Sequence, residues 1–192
     1  MLALLVACVG YMCACFAAKP NQAPHMQPQR AAWLVYWDWE QGLAKAQLDK
    51  EQTYIVFAAS FDKKGKLLLP EQFKVENLSK IPQEQLFLSI VNDREGKKNQ
   101  LLQKDITILK RKLSGKKRRR KHVQQIIDLC KENGFSGVEI DYENIWQDEK
   151  LIQNFALFTA ELRDKTQEAG LKLRVVLEPK SLSYAELLPE NV

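Results

Sequence analysis

Cysteine and histidine are scarce in this chain. Its 192 residues include four cysteines and two histidines, His25 and His122. Three of the cysteines lie in the first fifteen residues, so only Cys130 falls in the remainder. A disulfide framework is therefore excluded there, and we expect no zinc site, no Ser-His-Asp triad and no cofactor. Cys130 lies on the apolar side of a predicted helix, and we interpret it as a core residue.

Charged residues are absent from residues 1–18, which are apolar with small residues near their end. Such a stretch is typical of the hydrophobic part of a secretion signal, although the usual basic start is missing. A Leu-Val-Ala-Cys sequence ending at Cys8 makes a lipoprotein leader the second form of export. A membrane anchor or a buried helix is the alternative, but the stretch is short for a full span. We predict a secreted or cell-envelope-attached protein.

The remainder has the composition of a globular domain. The chain is 45% hydrophobic and 28% charged, which suits one domain with a sizeable core. Residues 19–31 are rich in Pro and Gln without periodicity, so they predict a flexible tether. We place the folded domain at residues 32–192.

Strand and helix patterns alternate along this domain. Short apolar segments near residues 33, 54, 86, 137 and 172 predict five strands. A helix is predicted from an N-cap at Ser114 to about Asn133, and a second over residues 150–169, with Gly134 and Gly170 as their C-terminal stops. Alternation of strands and helices predicts a parallel sheet covered on both faces.

The clearest functional signal lies in residues 137–143. Their strict alternation puts Val138, Ile140 and Tyr142 on one face of a strand and Glu139, Asp141 and Glu143 on the other. Neighbours on one face are about 6.5 to 7 Å apart, so protonation of the three acids is coupled and at least one pKa is raised. A half-buried antiparallel strand with a solvated acidic face shows the same pattern, but a parallel sheet covers both faces.

Residues 136–143 read Ser-Gly-Val-Glu-Ile-Asp-Tyr-Glu. This resembles the active-site strand of family 18 glycoside hydrolases, the chitinases and related N-acetylglucosaminidases, whose pattern is Asp-Gly-x-Asp-x-Asp-x-Glu. Asp141 and Glu143 match the pattern, whereas Glu139 and Ser136 stand where the family has Asp. The resemblance implies a (β/α)8 barrel that cleaves β-1,4-linked N-acetylglucosamine polymers, chitin or peptidoglycan, by a retaining, substrate-assisted mechanism.

The resemblance also implies catalytic roles. Glu143 would protonate the leaving oxygen, which requires a raised pKa. Asp141 would hydrogen-bond the acetamido N–H of the sugar and stabilise the oxazolinium ring. Glu139 would share a proton with Asp141, and Tyr142 would pack rather than catalyse.

Sugar contacts are expected from residues near the strand ends. In the resembled family the first strand ends in an aromatic segment at the sugar site, so Tyr36, Trp37 and Trp39 are candidate contacts. Trp146 lies in the loop after the acids, and Asn92 ends the third strand, as in the branch that acts on peptidoglycan. Core packing is the alternative for the tryptophans.

The number of strands limits the fold. A closed barrel needs eight strands and commonly about 250 residues. Five predicted strands indicate a partial (β/α)8 barrel that lacks the last three, which in the family carry a tyrosine and a tryptophan of the sugar site. We expect a truncated gene, a piece of a longer chain or a reduced sheet. In each case the open edge of the sheet favours association, and we expect the chain to lack full activity.

Positive charge is concentrated in residues 116–121, which begin at Lys116, end at Lys121 and are all basic. The cluster lies at the positive end of a helix dipole, which is mildly unfavourable. We interpret it as a solvated turn, with contact to an anionic cell-wall polymer as the alternative. Nucleic acid is not expected, because no aromatic residues are interleaved.

Three hypotheses about function follow. The first is a glycosidase of N-acetylglucosamine polymers. The second is a non-catalytic carbohydrate-binding relic of the same fold. The third is a metal-dependent enzyme in which Glu139, Asp141 and Glu143 bind Mg²⁺.

Overall fold

The computed structural model describes residues 30–46, 52–70, 73 and 78–178. The predicted leader and the tether up to residue 29 lie outside the described residues. Strand β1 begins at Ala31, one residue before the predicted start of the domain.

Five parallel strands form the sheet, as predicted. They are β1 (Ala31–Val35), β2 (Thr53–Phe61), β4 (Leu86–Glu95), β6 (Gly137–Asp141) and β7 (Lys172–Val175), and they lie side by side in this order. Two short strands, β3 (Leu67–Leu68) and β5 (Leu101–Leu102), pair antiparallel with β2 and β4. Within the described ranges the sheet is open, with β1 and β7 at its edges.

Four helices accompany the sheet in the part of the chain that the structure describes. They are α1 (Trp39–Ala46), α2 (Ile106–Leu113), α3 (Lys116–Glu132) and α4 (Glu149–Ala169). Helices α2, α3 and α4 contact one another. A search of the described residues finds no helix with the length and apolarity needed to cross a membrane.

The helix ends agree with the prediction at the C-terminal side. Gly170, at φ +72°, caps α4, and Gly134, also at φ +72°, follows α3. This left-handed backbone is where a side chain is strained, so glycine suits both stops. The start of α3 differs from the prediction. Gly115 is the N-cap residue, and the Ser114 hydroxyl instead accepts a hydrogen bond from Arg118 (Nη1–Oγ 2.7 Å).

The core lies between the sheet and the helices. Val138 and Ile140 of β6 are fully buried in it, together with the predicted apolar face of α3, namely Val123, Ile126, Ile127 and Cys130. The Tyr142 hydroxyl lies 2.7 Å from Nε2 of buried His122, which confirms that Tyr142 faces the core. Burial raises the pKa of the Cys130 thiol to about 12, as expected for an inert core residue.

The basic cluster 116–121 is not wholly solvated, which corrects part of our interpretation. Arg119 is only 7% exposed. Its guanidinium pairs with Glu161 of α4 (Nη2–Oε1 3.0 Å) and donates to the Leu113 carbonyl (3.3 Å). The other five members are exposed. Arg119 thus ties α3 to α4, and Glu161 compensates part of the positive charge that the cluster brings.

Candidate active site

Glu139 and Asp141 of β6, and Glu143 two positions after this strand, lie on the sheet face opposite the helices. We call these three residues the acid row. Their alternation partners, Val138, Ile140 and Tyr142, face the core. At the start of β6, a Cβ on Gly137 would lie 2.4 Å from the Phe87 ring. Only glycine lets that ring lie against the strand, which gives the motif glycine a packing reason.

Glu139 is buried in the interior of the curved sheet, at 1% exposure. Trp33 of β1 donates to it (Nε1–Oε1 2.9 Å), and Arg174 of β7 lies at 3.4 Å (Nε–Oε2). In sheet order β1 is three strands from β6, about 14 Å away in a flat sheet. The Trp33 bond therefore requires a strongly curved sheet. The two donors replace water around a buried carboxylate.

Asp141 lies two residues after Glu139, at the C-terminal end of β6, and is 8% exposed. Burial, followed by repulsion from Glu143 and from Glu139, raises the pKa of Asp141 to about 6. The prediction that at least one acid of the row has a raised pKa is confirmed at this residue. In the described residues no hydrogen bond joins Asp141 to Glu139, whose oxygens face Trp33 and Arg174.

Glu143 follows β6, and its backbone is clamped by Asn92 of β4. The Glu143 N–H donates to Asn92 Oδ1 (2.9 Å), and Asn92 Nδ2 donates to the Glu143 carbonyl (3.1 Å). Asn92 is 1% exposed. We predicted Asn92 as a substrate contact, but both polar ends of its amide are bound to Glu143. In the structure it is a positioning residue, which fixes the direction of the Glu143 side chain.

The Glu143 carboxylate forms an ion pair with Lys104, from the segment between β5 and α2. Lys104 is held by its own backbone, since its N–H donates to Asp93 Oδ1 (2.8 Å). The hydrogen bond that Lys104 donates to Glu143 is the main cause of the raised pKa of Lys104, with further contributions from Glu178 and Asp141. One ammonium group therefore lies among several carboxylates at this end of the sheet.

Asp93 and Glu178 complete this acidic end. Burial and the nearby Glu143 raise the pKa of Asp93, against the opposing effect of the Lys104 N–H. Glu178 accepts a hydrogen bond from the Asn144 N–H (2.7 Å). Carboxylates thus lie in the C-terminal part of β4, at the end of β6 and after β7, the edge at which parallel α/β folds place their active sites.

A cleft of about 410 Å³ opens beside Asp93. Tyr36, Phe57, Val91 and Leu101 give it apolar walls, and Asp93 and Glu95 supply carboxylates, whereas Glu139, Asp141 and Glu143 do not line it. Its volume is typical of a small-ligand site.

The predicted aromatic contacts divide into two groups. Tyr36 and Trp37 are exposed and form an edge-to-face pair (centroids 4.9 Å apart), with Trp37 at 65% exposure. Trp146 is exposed in the turn after the acids. Trp39, by contrast, is 8% exposed and packs against Phe73, so it has no free face for a sugar. Our prediction for Trp39 was wrong, because α1 turns its first residue inward.

The acid row does not resemble a magnesium site. In the described ranges, no group of three or more His, Cys, Asp or Glu residues is arranged to hold a metal ion. Arg174 stands at Glu139 and Lys104 at Glu143, so cations occupy the positions from which these oxygens would bind Mg²⁺.

Four functional residues were missed by sequence reasoning. Trp33, Arg174 and Lys104 contact the acids, and Asp93 helps to raise the pKa of Asp141. Asp93 could have been found, because it lies in the C-terminal part of a strand. Lys104 gives no sequence signal, since a hairpin through β5 brings it to Glu143.

Comparison with known proteins identifies relatives of this arrangement. The model of the glycosyl hydrolases family 18 matches residues 32–190. A mutant class V chitinase from Nicotiana tobaccum, in complex with NAG4, is similar with a TM-score of 0.63 at 15% identity over 86% of this chain and 50% of that chain. No curated protein sequence matches.

Two bacterial structures show the same likeness. A chitinase from the chitin utilization locus of Flavobacterium johnsoniae has a TM-score of 0.59 at 13% identity, over 83% of this chain and 51% of that chain. The chitinase domain of the spore coat protein CotE from Clostridium difficile has a TM-score of 0.57 at 16% identity, over 82% of this chain and 44% of that chain. The likeness confirms the predicted α/β fold, part of a (β/α)8 barrel, and the chain spans about half the length of these structures or less.

Proposed function

Because the chain belongs to glycosyl hydrolase family 18, we propose that it hydrolyses β-1,4-linked N-acetylglucosamine polymers, chitin or peptidoglycan. The observation that carries this proposal is the pair of carboxylates at the end of β6. Asp141 is buried with its pKa raised to about 6, and Glu143 is fixed beside it by the Asn92 clamp.

The reaction needs no protein nucleophile. The acetamido oxygen of the sugar attacks its own anomeric carbon, and the bond to the leaving oxygen breaks as Glu143 donates its proton to that oxygen. Water then adds to the oxazolinium ring and gives its proton to Glu143, which restores the acid. Two inversions at the same carbon give net retention.

Asp141 acts on the acetamido group in this scheme. Its carboxylate accepts a hydrogen bond from the acetamido N–H and stabilises the positive charge of the oxazolinium ring. Glu139, held by Trp33 and Arg174, keeps a second negative charge behind Asp141. We therefore infer that Glu139 acts by its charge.

The ion pair at Glu143 has to open during turnover. A general acid carries a proton, whereas the Lys104 ammonium stabilises the ionised carboxylate. Lys104 lies on an exposed segment, so a sugar that binds at Glu143 can displace its side chain. Tyr36, Trp37 and Trp146 offer exposed rings to the apolar faces of the polymer.

The test is the release of a chromogenic leaving group from an N-acetylglucosamine oligomer. We expect Glu143→Gln to lower kcat by about 10²- to 10⁴-fold, the usual contribution of a general acid. Glu132→Gln, at the exposed end of α3, is the matched control and should leave the rate unchanged. Turnover by Glu143→Gln at the wild-type rate would contradict the proposal.

The Lys104–Glu143 pair also favours a second candidate, a non-catalytic carbohydrate-binding relic. If Lys104 stays on Glu143 when sugar binds, the acid carries no proton and only binding remains. Saturable binding of the same oligomer without any release of the leaving group would support this candidate against hydrolysis.

We also propose export, from the leader predicted in residues 1–18, since both polymers lie outside the cytoplasm. N-terminal sequencing of the mature protein tests this, and an intact Met1 on cytoplasmic protein would contradict it.

A further inference from the structure

A second cavity, of about 260 Å³, is lined mainly by lysine and arginine residues. Six cationic side chains line it, from the turn between β2 and β3, from α2 and from α3. They are Lys64, Lys66, Arg111, Lys112, Arg118 and Lys121, and we call them the basic pocket. The basic pocket shares no lining residue with the cleft beside Asp93.

The walls of the basic pocket are held in place by the backbone. Asp62 Oδ1 accepts hydrogen bonds from the N–H groups of Lys64 (2.8 Å) and Lys66 (2.7 Å), which fixes the turn. Gly65, at φ +84°, lets the turn approach α2, because a Cβ there would lie 2.5 Å from Nη2 of Arg111. Arg111 Nη2 donates to the Lys64 carbonyl (3.3 Å). A ligand would therefore meet a largely preformed site.

Among the described residues, no carboxylate forms an ion pair with any of the six cations of the basic pocket. Lys112 is partly buried and donates to Gln125 (Nζ–Oε1 3.0 Å). Burial, followed by repulsion from Arg111 and Lys121, lowers the pKa of Lys112, and these effects outweigh the attraction of Asp62. Cations held together in this way bind an anion favourably, since the anion relieves their mutual repulsion.

We propose that the basic pocket binds the phosphate groups of a phosphodiester polymer that carries no aromatic bases. Cations from three separate elements surround a ligand on several sides, which suits a tetrahedral oxyanion better than a planar carboxylate. Arg111 and Arg118 each have further guanidinium N–H groups besides those that bind the Lys64 carbonyl and the Ser114 hydroxyl, and these can donate to phosphate oxygens. Lys117, exposed one turn before Lys121 on α3, supplies a cation for the next phosphate along the polymer.

The absence of stacking surfaces in the basic pocket argues against nucleic acid. Grooves for single strands combine cations with exposed aromatic rings on which bases stack. Among the described residues that line the basic pocket, the one ring is that of His122, and it is fully buried. Phosphate recognition is available there and base recognition is not.

Binding of a poly(glycerol phosphate) of defined length to the 192-residue chain tests the proposal. The triple variant Lys66→Gln, Arg118→Gln, Lys121→Gln removes three exposed cations of the basic pocket. The control variant Lys45→Gln, Lys131→Gln, Lys150→Gln removes three exposed cations elsewhere, so the two variants have the same net charge as each other.

We expect the pocket variant to raise Kd about tenfold and the control to change it by less than about twofold. The slope of log K against log salt should fall by about two in the pocket variant, since each lost phosphate contact contributes about 0.7. Equal loss in both variants would overturn the proposal. So would tighter binding of a single-stranded oligonucleotide, or of polyglutamate, with the same number of charges.

Discussion

Replacing Asp141 by Asn should stabilise the protein at neutral pH and leave its stability unchanged at acid pH. The pKa of Asp141 is about 6 in the folded chain, against 3.8 for the unperturbed group. The folded state thus holds the Asp141 proton more tightly than the unfolded state. Folding stability therefore falls as pH rises between these two values, and the full cost is present above pH 6.

The size of this effect follows from the same two values. The difference between the two pKa values corresponds to a loss of about 3 kcal/mol of folding stability at neutral pH. Because solvent partly screens the charge of Asp141 at the end of β6, we take the loss as about 2 kcal/mol. Asn keeps the shape of Asp and carries no charge, so Asp141→Asn should recover this amount at pH 8. For a chain of this size, about 2 kcal/mol raises Tm by about 4 to 8 °C.

Thermal unfolding of wild type and Asp141→Asn, at pH 8 and at pH 4, is the assay. The control is Asp164→Asn, an exposed residue of α4 whose neighbour Arg163 is its partner. Its Tm should change little at either pH. A wild type and an Asp141→Asn variant with the same Tm at pH 8 would refute the electrostatic account of the acid row.

Three further predictions concern the residues around the acids. Asn92→Ala should lower the free energy of unfolding by about 2 kcal/mol in urea denaturation, because both hydrogen bonds to Glu143 are lost; a smaller loss than in an exposed Asn→Ala control would contradict this. Gly137→Ala should cost about 1 to 3 kcal/mol through its clash with Phe87, and Phe87→Leu should restore part of that stability in the double variant; no restoration would disprove the clash. Lys104→Met should change stability by less than about 1 kcal/mol and raise the hydrolysis rate at pH 7, while an unchanged rate would mean that substrate already displaces Lys104.

The five parallel strands and the acid row could be predicted because their signals are local. Strict alternation in residues 137–143 separates the core set from the acids, and helical spacing in α3 marks Cys130 and its neighbours as buried. Parallel pairing follows from the alternation of strands with helices. These features depend on neighbours within a few positions.

The errors came from contacts between distant parts of the chain. Asn92 was taken for a substrate contact because it ends a strand, but its amide reaches the Glu143 backbone 51 positions away. The ring of Trp39 turns inward because Phe73 packs on it. Trp33 reaches Glu139 only because the sheet is curved. Side-chain direction at a strand end depends on tertiary packing, which the sequence pattern does not carry.

The most direct test of the proposed hydrolysis is the anomeric form of the first sugar released from an N-acetylglucosamine oligomer, followed by ¹H NMR before mutarotation. The account predicts the β-anomer first, with product formed about 10²- to 10⁴-fold more slowly by Glu143→Gln and at the normal rate by Glu132→Gln. The α-anomer as first product, or release by Glu143→Gln at the wild-type rate, would contradict it.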